Sequence, residues 1–224
     1  MQLDFTPAAV LFDMDGLMLD SESAVMQCWI EAAAAHGKTL DEELLHAMVG
    51  LHEKLCFALL CQRMPEEEVW TLARATDALY HERVEAGLPL KPGIRSLLEW
   101  LDELGIPKAV ATSTRRDRAE HKLTQSGLIK HFPVVITGSD IEHPKPAPDI
   151  YLLAAKTLRV DPQHCLVLED SEPGVRAALA AGMTPIQVPD MKAPSAEVRA
   201  LGHRIVGSLS EAQQLLRPIL APWS

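Results

Sequence analysis

No stretch of this 224-residue chain stays apolar for the roughly 18 residues that a membrane-spanning helix needs. Cysteine is scarce. Cys28, Cys56, Cys61 and Cys165 form no CxxC pair and are too few for a disulfide scaffold, which fits a reducing compartment. The start, Met1-Gln2-Leu3-Asp4, lacks the basic segment of a signal peptide, and the first apolar run stops at Asp13, so a cytoplasmic location is expected. The nine histidines show no HxH or HExxH spacing, which argues against a zinc site. Positive charge is also short: 21 Lys+Arg face 31 Asp+Glu, a net charge of −10. That balance argues against nucleic acid or an anionic membrane as the main partner. There is no internal repeat and no low-complexity tract. What is present, 47% hydrophobic and 23% charged residues, is a globular composition, with length for one large or two modest domains.

Short, continuous apolar runs recur along the chain. Ala8-Ala9-Val10-Leu11-Phe12 ends in Asp13-Met14-Asp15-Gly16, Ala109-Val110-Ala111 ends at Thr112, and Val134-Val135-Ile136 ends at Thr137. Cys165-Leu166-Val167-Leu168 ends at Glu169-Asp170. Such runs suit strands buried on both faces of a parallel sheet. Ile186-Gln187-Val188 is a fifth, and Pro185 before it predicts an outer strand. Helical patterns alternate with these runs. Ile94, Leu97, Leu98 and Leu101 recur at helical spacing after Pro92-Gly93, and 148–158 and 174–181 read as further helices. The rhythm predicts an α/β fold with a doubly wound parallel sheet.

Residues 21–89 break the rhythm. Val25, Cys28, Trp29 and Ala32 make one helical face, Asp41 can cap a second helix, Leu55, Ala58 and Leu59 mark a third, and Pro65 opens a fourth. No strand-like run occurs there. An inserted helical domain is expected at 21–89, with 1–20 and 90–224 forming the core and hinges near Leu19-Asp20 and Leu88 to Pro92.

In an open parallel sheet, ligands bind beyond the carboxyl ends of the strands. The polar residues that follow the apolar runs are Asp13, Asp15, Thr112, Glu169 and Asp170. If the runs share one sheet, four carboxylates gather at one edge. They cannot all ionise there without a cation or a proton, and hard oxygen donors favour Mg2+. Thr112-Ser113-Thr114 precedes a helix expected near Arg115, an arrangement that suits an anion. Arg115, Arg116 and Arg118 oppose that helix dipole unless an acidic neighbour offsets them, and read best as a solvated patch. Lys145, between Pro144 and Pro146, is an ammonium on a stiff loop that can neutralise a phosphoryl oxygen.

The run from Asp13 to Glu22, DMDGLMLDSE, is followed in order by Val110-Ala111-Thr112-Ser113, Lys145-Pro146-Ala147-Pro148-Asp149-Ile150-Tyr151 and Leu168-Glu169-Asp170-Ser171. Together they resemble the four ordered motifs of the haloacid dehalogenase superfamily, over essentially the whole chain. The helical insert resembles that family's α-helical cap. The nearest subgroup is the sugar-phosphate and nucleotide phosphatases related to β-phosphoglucomutase.

The resemblance implies a Rossmann-like core and a Mg2+-dependent phosphatase acting on a small phosphorylated metabolite, with no nucleic-acid or membrane partner and a monomeric state. By the same resemblance Asp13 is the nucleophile that becomes an aspartyl phosphate, and Asp15 the general acid and base. Thr112 and Ser113 bind the phosphoryl group, and Lys145 neutralises charge and holds Asp13. The metal set is Asp13, the carbonyl of Asp15, Asp170, and Glu169 in or near it. The chemistry agrees: a carboxylate attacking an anionic phosphoryl group needs cations and in-line positioning. Asp15 separates the chain from the family's dehalogenases, which lack it. In the mutases a cap arginine and a cap histidine act on the substrate; the aligned positions here hold Glu53 and Val25, which favours hydrolysis. His52 and Lys54 in the cap loop are the substrate-binding candidates outside the core. A mutase, or a receiver-like phosphoaspartate switch, is the alternative.

Overall fold

The computed structural model describes residues 6–49 and 53–220. Strand β1 (Ala9–Phe12) carries no polar side chain and is buried along its whole length. Its side chains alternate. Val10 and Phe12 enter one apolar core, and Ala9 and Leu11 enter a second on the opposite face. That two-residue period makes a continuous apolar run necessary: a strand covered on both faces has no solvent side for a polar residue.

Among the described residues, four helices follow before the chain returns to the core: α1 (Ser21–Ala35), α2 (Glu42–Met48), α3 (Glu53–Cys61) and α4 (Glu66–Ala86). Asp41 caps α2 by accepting from the Leu44 N–H at 2.7 Å. These helices build a separate apolar cluster around Ala33, Leu44, Leu60 and Val69, with Trp29 packed on its side. The chain leaves and re-enters the core side by side. The Asp20 N–H donates to Pro89 O at 2.8 Å, and the Lys91 N–H to Met18 O at 2.9 Å.

The core then runs through α5 (Ile94–Glu103), β2 (Lys108–Thr112), α6 (Arg116–Gln125), β3 (Val134–Thr137), α7 (Asp149–Leu158), β4 (Cys165–Glu169) and α8 (Glu172–Ala180). It ends with β5 (Thr184–Gln187), α9 (Ala196–Arg199), β6 (Arg204–Ile205) and α10 (Leu209–Leu220). All strand pairs are parallel, in the order β3-β2-β1-β4-β5-β6. Helices α5, α6 and α10 cover the face that holds Phe12, and α7 and α8 cover the other. On that second face Ala9, Ala109 and Ala111 are among the strand residues of the cluster that α7 covers, together with Leu11 and Ile136, and the small side chains of β2 let the helix sit close there.

This is the doubly wound sheet expected from the sequence. The chain moves outward from β1 to β2 and β3, then crosses back to β4 on the other side of β1. The reversal leaves a crevice at the carboxyl ends of β1 and β4. One expectation is corrected. The strand after Pro185 is not outermost, because β6 pairs beyond it. β6 engages only Ile186 and Gln187, past the proline, so the missing Pro185 N–H breaks no ladder bond.

Leu97 on α5 is wholly buried in the larger core. Leu97→Ala is expected to destabilise the fold by about 2–5 kcal/mol, read by chemical denaturation.

Candidate active site

Each strand end delivers one group to the crevice. Asp13 directly follows β1, its N–H donating to Leu168 O at 3.0 Å. Thr112 and Glu169 are the last residues of β2 and β4, and Asp170 follows. Lys145 enters from the segment between β3 and α7, and its ammonium uses all three of its donors. It donates to Asp13 Oδ1 at 2.5 Å, to Glu169 Oε1 at 2.5 Å and to the Ala111 carbonyl at 3.1 Å. The ring of Tyr151, on α7, lies 4.9 Å from the same nitrogen.

Glu169 is completely buried, and both its oxygens are engaged. Oε1 accepts from Lys145 and from the Tyr151 hydroxyl at 2.9 Å. Oε2 accepts from the Ser171 N–H at 2.8 Å and its hydroxyl at 2.9 Å. Ser171 also caps α8. Gly174, in the first turn of α8, is required by this packing: a Cβ there would lie 1.7 Å from Glu169 Oε1. Gly16 serves Asp170 in a similar way. Its φ of +81° makes the turn after β1, and a Cβ would meet Asp170 Oδ2 at 2.5 Å.

Oxygens of Asp13, Glu169 and Asp170 lie within 4.8 Å of one another. The electrostatic result is strained. Burial pushes Asp13 up to about 7 even with Lys145 beside it. Burial acts on Glu169 too, but Lys145, the Ser171 N–H and Tyr151 outweigh it and hold that carboxyl low. Asp170 is driven well above the carboxylate range by burial first, then by Glu169 and Asp13. Lys145 is kept charged by the two acids it touches, against the cost of burial. One ammonium among three carboxylates leaves two negative charges to be met by protons or by a cation. The all-oxygen donor set fits a hard divalent cation.

Asp15 stands apart from this group. Its Oδ2 accepts from the Thr114 hydroxyl at 2.6 Å and its Oδ1 from Lys122 at 2.8 Å. Burial raises its pKa, but Lys122 and these hydrogen bonds more than reverse that and leave it lowered. Lys122, on α6, sits 5.2 Å from the ring of Tyr80 on α4. So the structure brings three of the four expected carboxylates together and turns the fourth toward a lysine. Thr112 is buried, with its hydroxyl accepting from the Thr114 N–H at 3.2 Å, and Ser113 is exposed at the mouth. Arg116 of the basic patch is tied to Asp140 and Glu120 at 2.6 and 2.7 Å. His52 and the side chain of Lys54 lie outside the described residues.

Sequence reasoning missed Lys122, Tyr151 and Gly174. A signal existed for Lys122: it lies beside Leu123 and three residues from Ala119, the buried positions of α6, where a charge needs a partner. Tyr151 ends the third motif but carries no charge to mark it. A cavity of about 700 Å3 opens above these groups. Its further lining comes from Glu22 and Val49 of the helical insert and from Glu172, Gln187, Lys192 and Ser195 of the core.

The comparisons agree with this architecture. Residues 7–182 match the family model "haloacid dehalogenase-like hydrolase", and the chain belongs to that family of hydrolases. It is 33% identical over 178 residues to a phosphorylated carbohydrates phosphatase of Thermotoga maritima, covering 78% of this chain and 82% of the relative. It is 37% identical over 182 residues to hexitol phosphatase A of Escherichia coli K12, covering 80% and 81%. The crystal structure of a HAD family hydrolase from Deinococcus radiodurans, with bound phosphate and sodium, superposes with a TM-score of 0.82 at 29% identity. That match covers 98% of this chain and all of the other.

Replacing Gly174 by alanine is expected to force Glu169 off its hydrogen bonds and cost about 1–3 kcal/mol, measured by denaturant unfolding.

Proposed function

We propose that the protein is a Mg2+-dependent phosphatase of phosphorylated carbohydrates, working through Asp13, with residues 21–89 as a cap over the site. The observation that carries this is the Asp13–Lys145–Glu169 cluster beside Asp170 at the strand switch. What supports the reading is that three carboxylates and one buried ammonium meet at one point.

An oxygen of Asp13 attacks phosphorus and the bond to the leaving oxygen breaks, giving an aspartyl phosphate. Asp15 hands a proton to the leaving oxygen. Water then attacks the phosphorus, Asp15 takes its proton, and inorganic phosphate leaves with Asp13 restored. Before it can act, the Asp15 carboxylate must turn from Thr114 and Lys122 into the cavity it already lines, where loss of the lysine lets it take up from solvent the proton that it donates. Lys145 offsets charge on Asp13 and on the transferring group, and Thr112 and Ser113 offer donors to the phosphoryl oxygens. Mg2+ held by Asp13, Asp170 and the Asp15 carbonyl, with Glu169 adjacent, would supply the remaining positive charge.

The cavity favours a polyhydroxylated leaving group. No aromatic side chain is among its described lining residues, so a nucleobase finds no face to stack on. The lining is polar instead: Glu172, whose Oε1 accepts from the Ser195 N–H at 2.5 Å, keeps a second carboxylate oxygen for sugar hydroxyls. The relatives named for carbohydrate and hexitol phosphates point the same way.

A panel of hexose, hexitol and nucleoside phosphates, assayed for phosphate release, tests the reading. Turnover is expected on sugar or polyol phosphates, lost in EDTA and restored by Mg2+. Asp13→Asn is expected to lower kcat by at least about 1,000-fold. Isomerised sugar phosphate without free phosphate would establish a mutase instead, and Mg2+-independent turnover would overturn the metal assignment.

A further inference from the structure

Asp170 lies one residue past the end of β4. The last backbone bond from the β5 side goes to Glu169, whose carbonyl accepts from the Val188 N–H at 2.7 Å. The Asp170 carbonyl therefore lies beyond the ladder, and a side chain meets it. Gln187, the final residue of β5 and 1% exposed, donates from Nε2 to Asp170 O at 3.1 Å. Its Oε1 is 2.8 Å from Nε2 of His203, the residue before β6.

The orientation of this chain of bonds is forced. A carbonyl only accepts, so Gln187 must present its NH2 group to Asp170. Its oxygen must then face His203, and His203 must carry a proton on Nε2. The ring's other nitrogen, Nδ1, is buried with no hydrogen-bond partner among the described residues. A doubly protonated ring would leave that N–H unmet, so the neutral tautomer with its proton on Nε2 fits. On its other side the Asp170 carboxylate lies against Gly16. Asp170 is thus fixed through its side chain by the turn after β1 and through its main chain by Gln187.

We propose that Gln187 is a positioning residue that holds the Asp170 carboxylate ready for the metal, and that His203 secures the amide that does so. This rests on the reading of Asp170 as a metal ligand. It goes beyond that reading by naming, on β5 and before β6, two residues outside all four motifs. Partners that orient a ligating carboxylate alter metal affinity about 10- to 100-fold when removed.

The test is Mn2+ binding, followed by electron paramagnetic resonance of the free ion, in the native protein and in Gln187→Met, His203→Phe and His203→Gln. Gln187→Met is expected to raise the Mn2+ dissociation constant about tenfold or more. His203→Phe weakens binding in the same direction. In that variant, which alters a residue outside the cavity lining, activity is expected to recover as metal is raised, a split that simple loss of stability would not give. His203→Gln, which can still donate, keeps it near native and decides the matter if Gln187→Met does not fold. Native Mn2+ affinity in both Gln187→Met and His203→Phe overturns the inference alone. Absence of Mn2+ binding by the native protein overturns the metal reading and the inference with it.

Discussion

A single buried ammonium holds the site together. Lys145 has three hydrogens, and each is spent on a different strand's carboxyl end: Asp13 after β1, the Ala111 carbonyl on β2 and Glu169 on β4. Removing water from three carboxylates carries a large penalty, and one lysine offsets only part of it. The rest of the local structure follows from that shortfall. Tyr151 and Ser171 saturate Glu169, Gly174 gives it room, and Asp170 is left with no cation among the described residues. Both oxygens of Glu169 are thereby satisfied, which leaves Asp170 as the acid that most needs a cation.

Asp15 is handled by different means. It is only partly buried and has its own lysine, and that lysine lies beneath a tyrosine of the helical insert. The contact joins the insert to Asp15 through two side chains. A movement of α4 relative to α6 would alter how Lys122 is held, and with it the carboxylate. The paired crossings at Asp20 and Lys91 are where such a movement would pivot.

Much of this was legible in the residues. A strand covered on both faces must be apolar throughout, so β1, β2 and β4 announce themselves, and the first polar residue after each is an edge residue by construction. Asp13, Thr112, Glu169 and Asp170 were found that way. Lys145 was marked by its prolines. Other parts were not legible for reasons equally physical. β6 is two residues long and has no period to detect. Lys122 sits in a polar helix, where one more charge is unremarkable until its surroundings are known. Gln187 looks like a polar interruption of a strand until the Asp170 carbonyl is seen to need a donor. The turn of Asp15 away from the other three acids depends on Lys122 and Thr114, contacts that a strand-end argument does not see.

The strand order also bears on how the molecule comes into being. β1 is made first, yet one of its flanks stays uncovered until Cys165–Glu169 has been synthesised. Until then the nascent polypeptide carries Asp13 with no ammonium locked against it by Glu169 and no Asp170 beside it. The cluster around Lys145 is therefore completed late in translation, in one step, rather than growing with length.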